Sequence, residues 1–269
     1  RNNSSDDDFA LQMALARIRQ LSAHEIGHTL GFAHNFAAST VNRSSLMDYP
    51  HPKFTLKDDK IDFSDAYDTK IGAWDKVIVA YSYQDFTDAE NEAEQLNKIL
   101  LDAYASGLKY LSDSDARSEG SASISAHLWD NGDNIYDDLN NLLKIRKTAI
   151  DHFSVDNIKT NEPYSVLEDV FVPLYFLHRF QTEAAVKIIG GLEYNYAVKD
   201  GNQTVVKRVP GEIERNALQA VLKTIAVDEI AIPSEKLVLF PPRALGYGRT
   251  RESFNSKLGV EFDAFSAVE

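Results

Sequence analysis

The stretch of sequence that decides the fold is HEIGHTLGFAH, residues His24 to His34. It fits the pattern HExxHxxGxxH, and on an α-helix residues four apart lie one above the other on the same face. His24 and His28 can therefore direct one imidazole nitrogen each at a single metal ion. Glu25 lies about 100° further round the helix, beside that ion and free to handle protons. The spacing predicts a helix with two metal ligands and a general base.

The glycine of the pattern predicts where this helix ends. Gly31 can take the left-handed conformation that ends a helix at little steric cost. The chain then turns back and can deliver His34 as a third ligand. Three histidines leave the fourth tetrahedral position of Zn²⁺ open for water, as in catalytic zinc sites. The complete pattern arises by chance in about one such chain in a hundred thousand. The alternative is a helix with incidental surface histidines.

The composition excludes several functional classes. The chain has 269 residues, 43% hydrophobic and 26% charged, which is ordinary for a globular protein with a substantial core. Its net charge of −13 argues against nucleic acid or an anionic membrane as a partner. No apolar run approaches the roughly 20 residues that span a bilayer. Without cysteines, the chain cannot contain a disulfide framework.

The start of the sequence has its own interpretation. The chain begins at Arg1, without an initiator methionine or a signal-peptide pattern, and leads directly into the metal-site helix. We interpret it as a fragment, or as one piece of a processed polypeptide. Any targeting information is then expected upstream.

The apolar residues of the first helix form a stripe. A helix is expected from about Phe9 to Gly31, and the stripe lies roughly opposite the face that carries the histidines. We expect it to pack in a core, with residues Leu11, Leu15, Ile18, Ile26 and Leu30.

The rest of the chain predicts a mainly α structure with one β-hairpin. The hairpin is expected at about 192–209, with its turn at 199–202. A central buried helix is expected over 165–189, carrying His178 as a hydrogen-bonded core histidine. Further helices are expected over 71–83, 87–110, 135–153 and 211–226.

The segment 111–138 is rich in serine, aspartate, glycine and asparagine, which favours loops with short helical turns. Capping and turn formation are the expected roles of its acids. Their spacing does not fit a calcium loop, although a metal site remains the alternative for Asp113, Asp115, Asp130 and Asp133.

A tight turn containing methionine follows the histidine pattern. The turn is Ser45-Leu46-Met47-Asp48-Tyr49, with Met47 thirteen residues after His34. The two motifs together resemble the metzincin zinc endopeptidases, in which this methionine forms a hydrophobic base beneath the three histidines. The resemblance implies that role for Met47, whose thioether can fill an irregular gap. A tyrosine at the position of Tyr49 can ligate zinc or stabilise the tetrahedral intermediate in astacin-like and serralysin-like members. A packing tyrosine is the alternative.

Further segments narrow the resemblance to the bacterial Met-zincin-like family of zinc-dependent metalloproteases. The similarity covers nearly the whole chain, and it rests on residues 61–67, 71–76, 127–132, 173–179, 190–194 and 241–243. One departure is Asn35, because the residue after the third histidine is often acidic or serine in the named metzincin families. This departure leaves the zinc site intact but puts a closer placement in doubt.

The resemblance implies a mainly α, zincin-like fold. Residues 1–83 would contain the active-site helix, the third ligand and the methionine turn. A helical C-terminal extension, residues 84–269 with the hairpin, would pack on them. In metzincins an N-terminal subdomain with a substrate-binding sheet edge precedes the active-site helix, and we expect this missing part of the same polypeptide as a partner. Family members are expected to be exported, which implies a periplasmic or extracellular location.

The function implied is hydrolysis of protein or peptide substrates with one catalytic Zn²⁺. His24, His28 and His34 would bind the ion, and Glu25 would take a proton from the attacking water and pass it to the leaving amine. Tyr49 would help to stabilise the oxyanion. One alternative is a zinc-binding scaffold or recognition module without catalysis, and another is an HExxH enzyme with a downstream acid as third ligand. The fragment alone is expected to bind zinc weakly and to cleave little.

Overall fold

The computed structural model describes residues 4–87, 91–116 and 120–250, and most of its regular structure is helical. The mainly α fold class is therefore confirmed. Among the described residues, no helix is both long and apolar enough to cross a bilayer. The helices are α1 Ser4–Thr29, α2 Ala73–Tyr83, α3 Glu92–Ala105, α4 Asp113–Ala116, α5 Ile135–His152, α6 Leu167–Tyr175, α7 Arg179–Val186, α8 Gly211–Lys223, α9 Val227–Ile230 and α10 Ser234–Leu237.

The helix expected over 87–110 is shorter than its periodicity indicates. It appears as α3, and residues 88–90 of the expected range lie outside the described residues. Its end is set by Gly107, whose φ of +91° lets the N–H of Leu108 donate to the carbonyl of Ala103 at 3.2 Å.

Two antiparallel hairpins supply the strands. The expected one pairs β3 Leu192–Tyr194 with β4 Val206–Arg208, so it is confirmed but pairs only three residues on each side. The other, β1 Thr55–Lys57 with β2 Lys60–Asp62, was not predicted. Its turn is a two-residue Asp58-Asp59 pair with φ of +50° and +57°, which matches the twist of a tight hairpin.

The single helix expected over 165–189 is wrong, because the chain breaks between α6 and α7. Pro173 lies inside α6 and has no N–H to donate. Beyond it the hydrogen bonds tighten, so that Leu177 donates to the carbonyl of Leu174 at 3.3 Å. The two short helices replace one long one.

His178 lies at this break, immediately before α7. Its Nδ1 is buried without a hydrogen-bond partner among the described residues, so the expected hydrogen-bonded core histidine is wrong for this nitrogen. Burial, followed by the charge of Arg146, lowers the pKa of His178 to about 4.

The apolar stripe of α1 is also not where the sequence predicts. Ile18 and Ile26 are both 58% exposed, and Leu11 and Leu30 are exposed as well. Within residues 9–29 of α1, the buried positions lie on the opposite, histidine-bearing side, at Gln20, His24 and Gly27. The expected orientation is wrong because the described chain packs against the ligand face of the helix and leaves the stripe exposed except at Leu15, which is half-buried.

Three apolar clusters hold the rest together. One lies between α5, α7 and α8, and includes Leu139, Leu143, Ala184 and Ala217. Another joins the end of α5 to α6 and Phe240. The third joins residues 36–37 to segment 111–128 and packs against the side of Tyr49, so it supports the methionine turn; its buried members are Phe36, Ala37, Leu111, Ala116, Ala126 and Leu128.

Candidate metal centre

The end of α1 delivers the third histidine. Gly31 has a φ of +88°, as its position in the pattern predicts. The N–H of Phe32 then donates to the carbonyl of Gly27 at 3.1 Å, which closes the last turn of the helix. The chain reverses here and brings His34 back towards His28.

The three histidines meet at one point. Nε2 of His28 lies 3.1 Å from Nε2 of His24 and 3.2 Å from Nε2 of His34. Tetrahedral zinc with bonds of about 2.0–2.1 Å requires ligand nitrogens about 3.3 Å apart. Among the described residues, this is the only group of three or more His, Cys, Asp or Glu residues close enough to hold a metal ion. The donor set therefore fits zinc, and the alternative metal site of the 111–138 acids gains no support.

Each of these histidines is held through its other ring nitrogen. Nδ1 of His24 donates to the carbonyl of Leu46 at 2.7 Å, and Nδ1 of His28 donates to the carbonyl of Phe32 at 2.8 Å. Nδ1 of His34 donates to Oδ2 of Asp113 at 2.9 Å. Because all three partners accept, the proton lies on Nδ1 and each Nε2 keeps its lone pair for a metal.

The methionine turn is organised by a buried carboxylate that the sequence analysis did not single out. Asp75, in the first turn of α2, accepts from Ser45 Oγ at 2.6 Å, from the N–H of Leu46 at 2.9 Å and from the N–H of Gly72 at 2.6 Å. The last of these bonds forms a capping arrangement at the start of α2. An aspartate in the first turn of the expected helix over 71–83 was the available signal.

Met47 lies directly beneath α1. It is 2% exposed, and a Cβ added to Gly27 would lie 2.3 Å from its sulfur. Only glycine therefore allows the turn to approach the helix so closely. A glycine in a helix interior costs about 1 kcal/mol relative to alanine, so Gly27 was a readable sign of close packing.

Tyr49 packs against two of the three histidines, and Glu25 lies near enough to His24 for its charge to act on it. The ring centroid of Tyr49 lies 4.6 Å from that of His24 and 4.8 Å from that of His34. Glu25 is exposed on α1, and its charge acts on His24, whose pKa is nonetheless lowered, chiefly by burial. A lowered pKa keeps His24 neutral and ready to bind a metal.

The acids of segment 111–138 have separate structural roles. Asp115 accepts from the hydroxyls of Tyr194 and Tyr196, while Asp133 accepts from the N–H of Asn42 at 2.9 Å. Asp113 contacts a histidine of the centre, a role that the sequence analysis missed because no local signal connects residues 79 positions apart.

Asp130 is buried behind the methionine turn, beside Asp48. Ser39 joins the two carboxylates: its Oγ donates to Asp130 at 3.1 Å and its N–H donates to Asp48 at 3.0 Å. Burial raises the pKa of Asp130 to about 7, and burial followed by the charge of Asp130 raises the pKa of Asp48 well above its usual range. Two acids that resist ionisation thus lie together, Asp48 in the turn and Asp130 behind it.

Comparison with known proteins gives one family. The family model described as Met-zincin matches residues 6–266, nearly the whole chain. Neither the curated proteins nor the solved structures include a significant match.

The raised pKa values predict how stability changes with pH. Because the folded pKa of Asp130 lies above the unfolded value of about 3.9, its contribution to stability is complete below that value and is lost as the pH rises through about 7. We expect Asp130→Asn, which cannot ionise, to gain on the order of 2–4 kcal/mol over wild type between pH 5 and pH 8. Urea unfolding of chelator-treated protein measures this difference, and the exposed Asp133→Asn is the control. A difference that does not grow with pH contradicts the assignment.

Proposed function

This chain belongs to the Met-zincin family, and we propose that its intact polypeptide is a zinc-dependent endopeptidase. The family match implies zinc and supports a metallopeptidase. The observation that carries the proposal is the convergence of three Nε2 atoms, each with its Nδ1 already engaged. Such a set leaves one position of a tetrahedral ion for water, which structural sites with four protein ligands do not.

The chemistry follows from what each residue can do. When bound, the zinc ion supplies Lewis acidity, which brings the pKa of a water to about 7 and polarises a carbonyl. His24, His28 and His34 would hold the ion. Glu25, exposed beside them, would accept the proton of the attacking water and transfer it to the leaving amine. Tyr49 would stabilise the oxyanion, a role that its place against the rings of His24 and His34 supports.

The alternative from another class is a zinc-binding scaffold or recognition module without catalysis. A degenerate enzyme usually loses its general base or a ligand, whereas this chain keeps Glu25 and all three histidines. The other alternative, an acid as third ligand, finds little support because Asp113 accepts a hydrogen bond from His34. Zinc stoichiometry that falls with His34→Ala favours the three-histidine site.

The partner proposed for α1 is the missing N-terminal part of the same polypeptide. The exposed face of Leu11, Ile18, Ile26 and Leu30 supports this, because an uncovered apolar face of this kind marks an interaction site. The substrate is a protein or peptide, and part of the cleft would come from that N-terminal part. Residues 1–269 alone would therefore bind zinc weakly and cleave little. A periplasmic or extracellular location rests on the family resemblance.

Replacement of Glu25 tests the mechanism. We expect Glu25→Ala in the intact polypeptide to keep its zinc and to lose peptide cleavage by about 10²–10⁴-fold, because general-base assistance is removed and no ligand is touched. Elemental analysis and kcat/KM on a peptide library measure the two effects. The exposed Glu94→Ala on α3 is the matched control. Cleavage by Glu25→Ala at the wild-type rate contradicts the assignment.

Replacement of Tyr49 tests the oxyanion role. Tyr49→Phe keeps the ring beside the histidines and removes only the hydroxyl, so we expect kcat to fall about 10- to 100-fold while zinc content holds. Tyr136→Phe, in a half-buried position on the α5 core, serves as the control. If kcat is unchanged, Tyr49 is a packing residue of the turn.

A charge on the exposed face of α1 tests the N-terminal partner. We expect Ile18→Glu to destabilise the intact polypeptide by about 2–4 kcal/mol, because a partner would bury the charge. Ile225→Glu, at a site 68% exposed, should change stability by less than about 0.5 kcal/mol. Urea unfolding compares the two. Equal, small effects mean that the face stays in water.

A further inference from the structure

Among the described residues, Asp113 is the one charged side chain that accepts a hydrogen bond from a histidine of the metal centre. The carbonyls of Leu46 and Phe32 hold the other two histidines. His34 instead donates to Oδ2 of Asp113 at 2.9 Å, and its side chain is only 14% exposed while that of Asp113 is 46% exposed. A carboxylate behind a ligating histidine fixes the ring and raises its basicity as a ligand.

The residue after His34 brings Asp113 to this position. Asn35 is fully buried, and its Nδ2 donates to the carbonyl of Lys109 at 2.9 Å while its Oδ1 accepts from the N–H of Leu111 at 3.3 Å. The N–H of Phe36 adds a bond of 2.8 Å to the carbonyl of Leu111. An amide can donate and accept at once, whereas a carboxylate at position 35 could not donate to a carbonyl. Asparagine at this position therefore fits the irregular segment 109–111 that leads into α4.

The β3–β4 hairpin and α7 hold α4 from the other side. Asp115 accepts from the hydroxyls of Tyr194 and Tyr196, and the hydroxyl of Tyr196 also accepts from the N–H of Ser112 at 3.1 Å. Nζ of Lys187 donates to the carbonyl of Asp115 at 3.1 Å. The short helix is thus fixed at both of its carboxylates, one towards the metal centre and one towards the extension.

We propose that Asp113 is a positioning residue of the metal centre, and that the extension supplies it through segment 109–116. This inference rests on the proposed function, since it assigns a role relative to bound zinc. Asp113 acts through His34: it holds the proton on Nδ1, fixes the plane of the ring and strengthens Nε2 as a ligand. The C-terminal extension, residues 84–269, then contributes a residue to the zinc site in addition to packing against it.

The test is the Zn²⁺ affinity of the intact polypeptide, measured by competition with a chromophoric chelator. We expect Asp113→Ala to bind Zn²⁺ about 10- to 100-fold more weakly. The Zn²⁺ affinity of Asp113→Asn should lie between those of the wild type and Asp113→Ala, because the amide oxygen still accepts from Nδ1 but carries no charge. Asp113→Glu should recover most of the loss, since the half-exposed position leaves room for a longer side chain. Asp151→Asn, a carboxylate of similar exposure paired with Lys147, is the control.

A second readout separates this role from a structural one. The visible absorption of the Co²⁺-loaded protein reports the ligand field, so Asp113→Ala should shift the bands while Asp151→Asn leaves them at the wild-type positions. The Tm of the zinc-free Asp113→Asn protein should match that of the wild type, because the amide oxygen still accepts from Nδ1 of His34.

The failures are distinguishable. Wild-type Zn²⁺ affinity and an unchanged Co²⁺ spectrum in Asp113→Ala overturn the inference and leave the proposed function in place. An equal loss in Asp113→Asn and Asp151→Asn also overturns it, because the effect is then one of overall charge. A wild-type polypeptide that binds no Zn²⁺ overturns the proposed function together with the inference.

Discussion

The peptide unit of Leu46 connects the scaffold to the metal centre. Its N–H donates to the buried carboxylate of Asp75, and its carbonyl accepts from Nδ1 of His24. The carboxylate is fixed at the start of α2 by its bond to Gly72. The start of α2 is therefore connected to His24 on α1 through two hydrogen bonds, one on each side of the Leu46 peptide unit. A buried carboxylate with three donors is strongly held, because each bond to a charged acceptor is worth more than a neutral one.

Close packing at two glycines makes this connection possible. Gly27 leaves room for the sulfur of Met47, and Gly72 leaves room for the carbonyl of Ser44, where an added Cβ would lie 2.0 Å from the oxygen. The turn thus packs against α1 and α2 at two glycines. Asp48 in the turn and Asp130 behind it both have raised pKa values, which favours their protonated forms and reduces the cost of burying two charges.

The sequence predicts the part of the metal centre whose residues lie close together along the chain. His24, His28 and Gly31 act within one helix and its end, where spacing alone fixes geometry. The partner of His28 is 4 residues away, that of His24 is 22 away, and that of His34 is 79 away. No periodicity links Asp113 to His34, and neighbouring acids of similar sequence context bind tyrosines or a backbone N–H instead. The capping role of Asp75 could have been predicted, because an aspartate in the first turn of a helix often caps that helix.

The orientation of α1 shows a different limit of sequence reasoning. An apolar stripe marks the face that is to be covered, but it does not say which part of a polypeptide covers it. The described chain packs instead on the side of Gln20, His24 and Gly27. There Gly27 lies against Met47 and His24 donates to the carbonyl of Leu46, and hydropathy registers neither contact. The described chain covers the methionine-turn side of the metal-site helix, and the apolar residues on the opposite side, apart from Leu15, are exposed. The side of α1 that packs is therefore set by close contact at a glycine and by hydrogen bonds, and not by hydropathy.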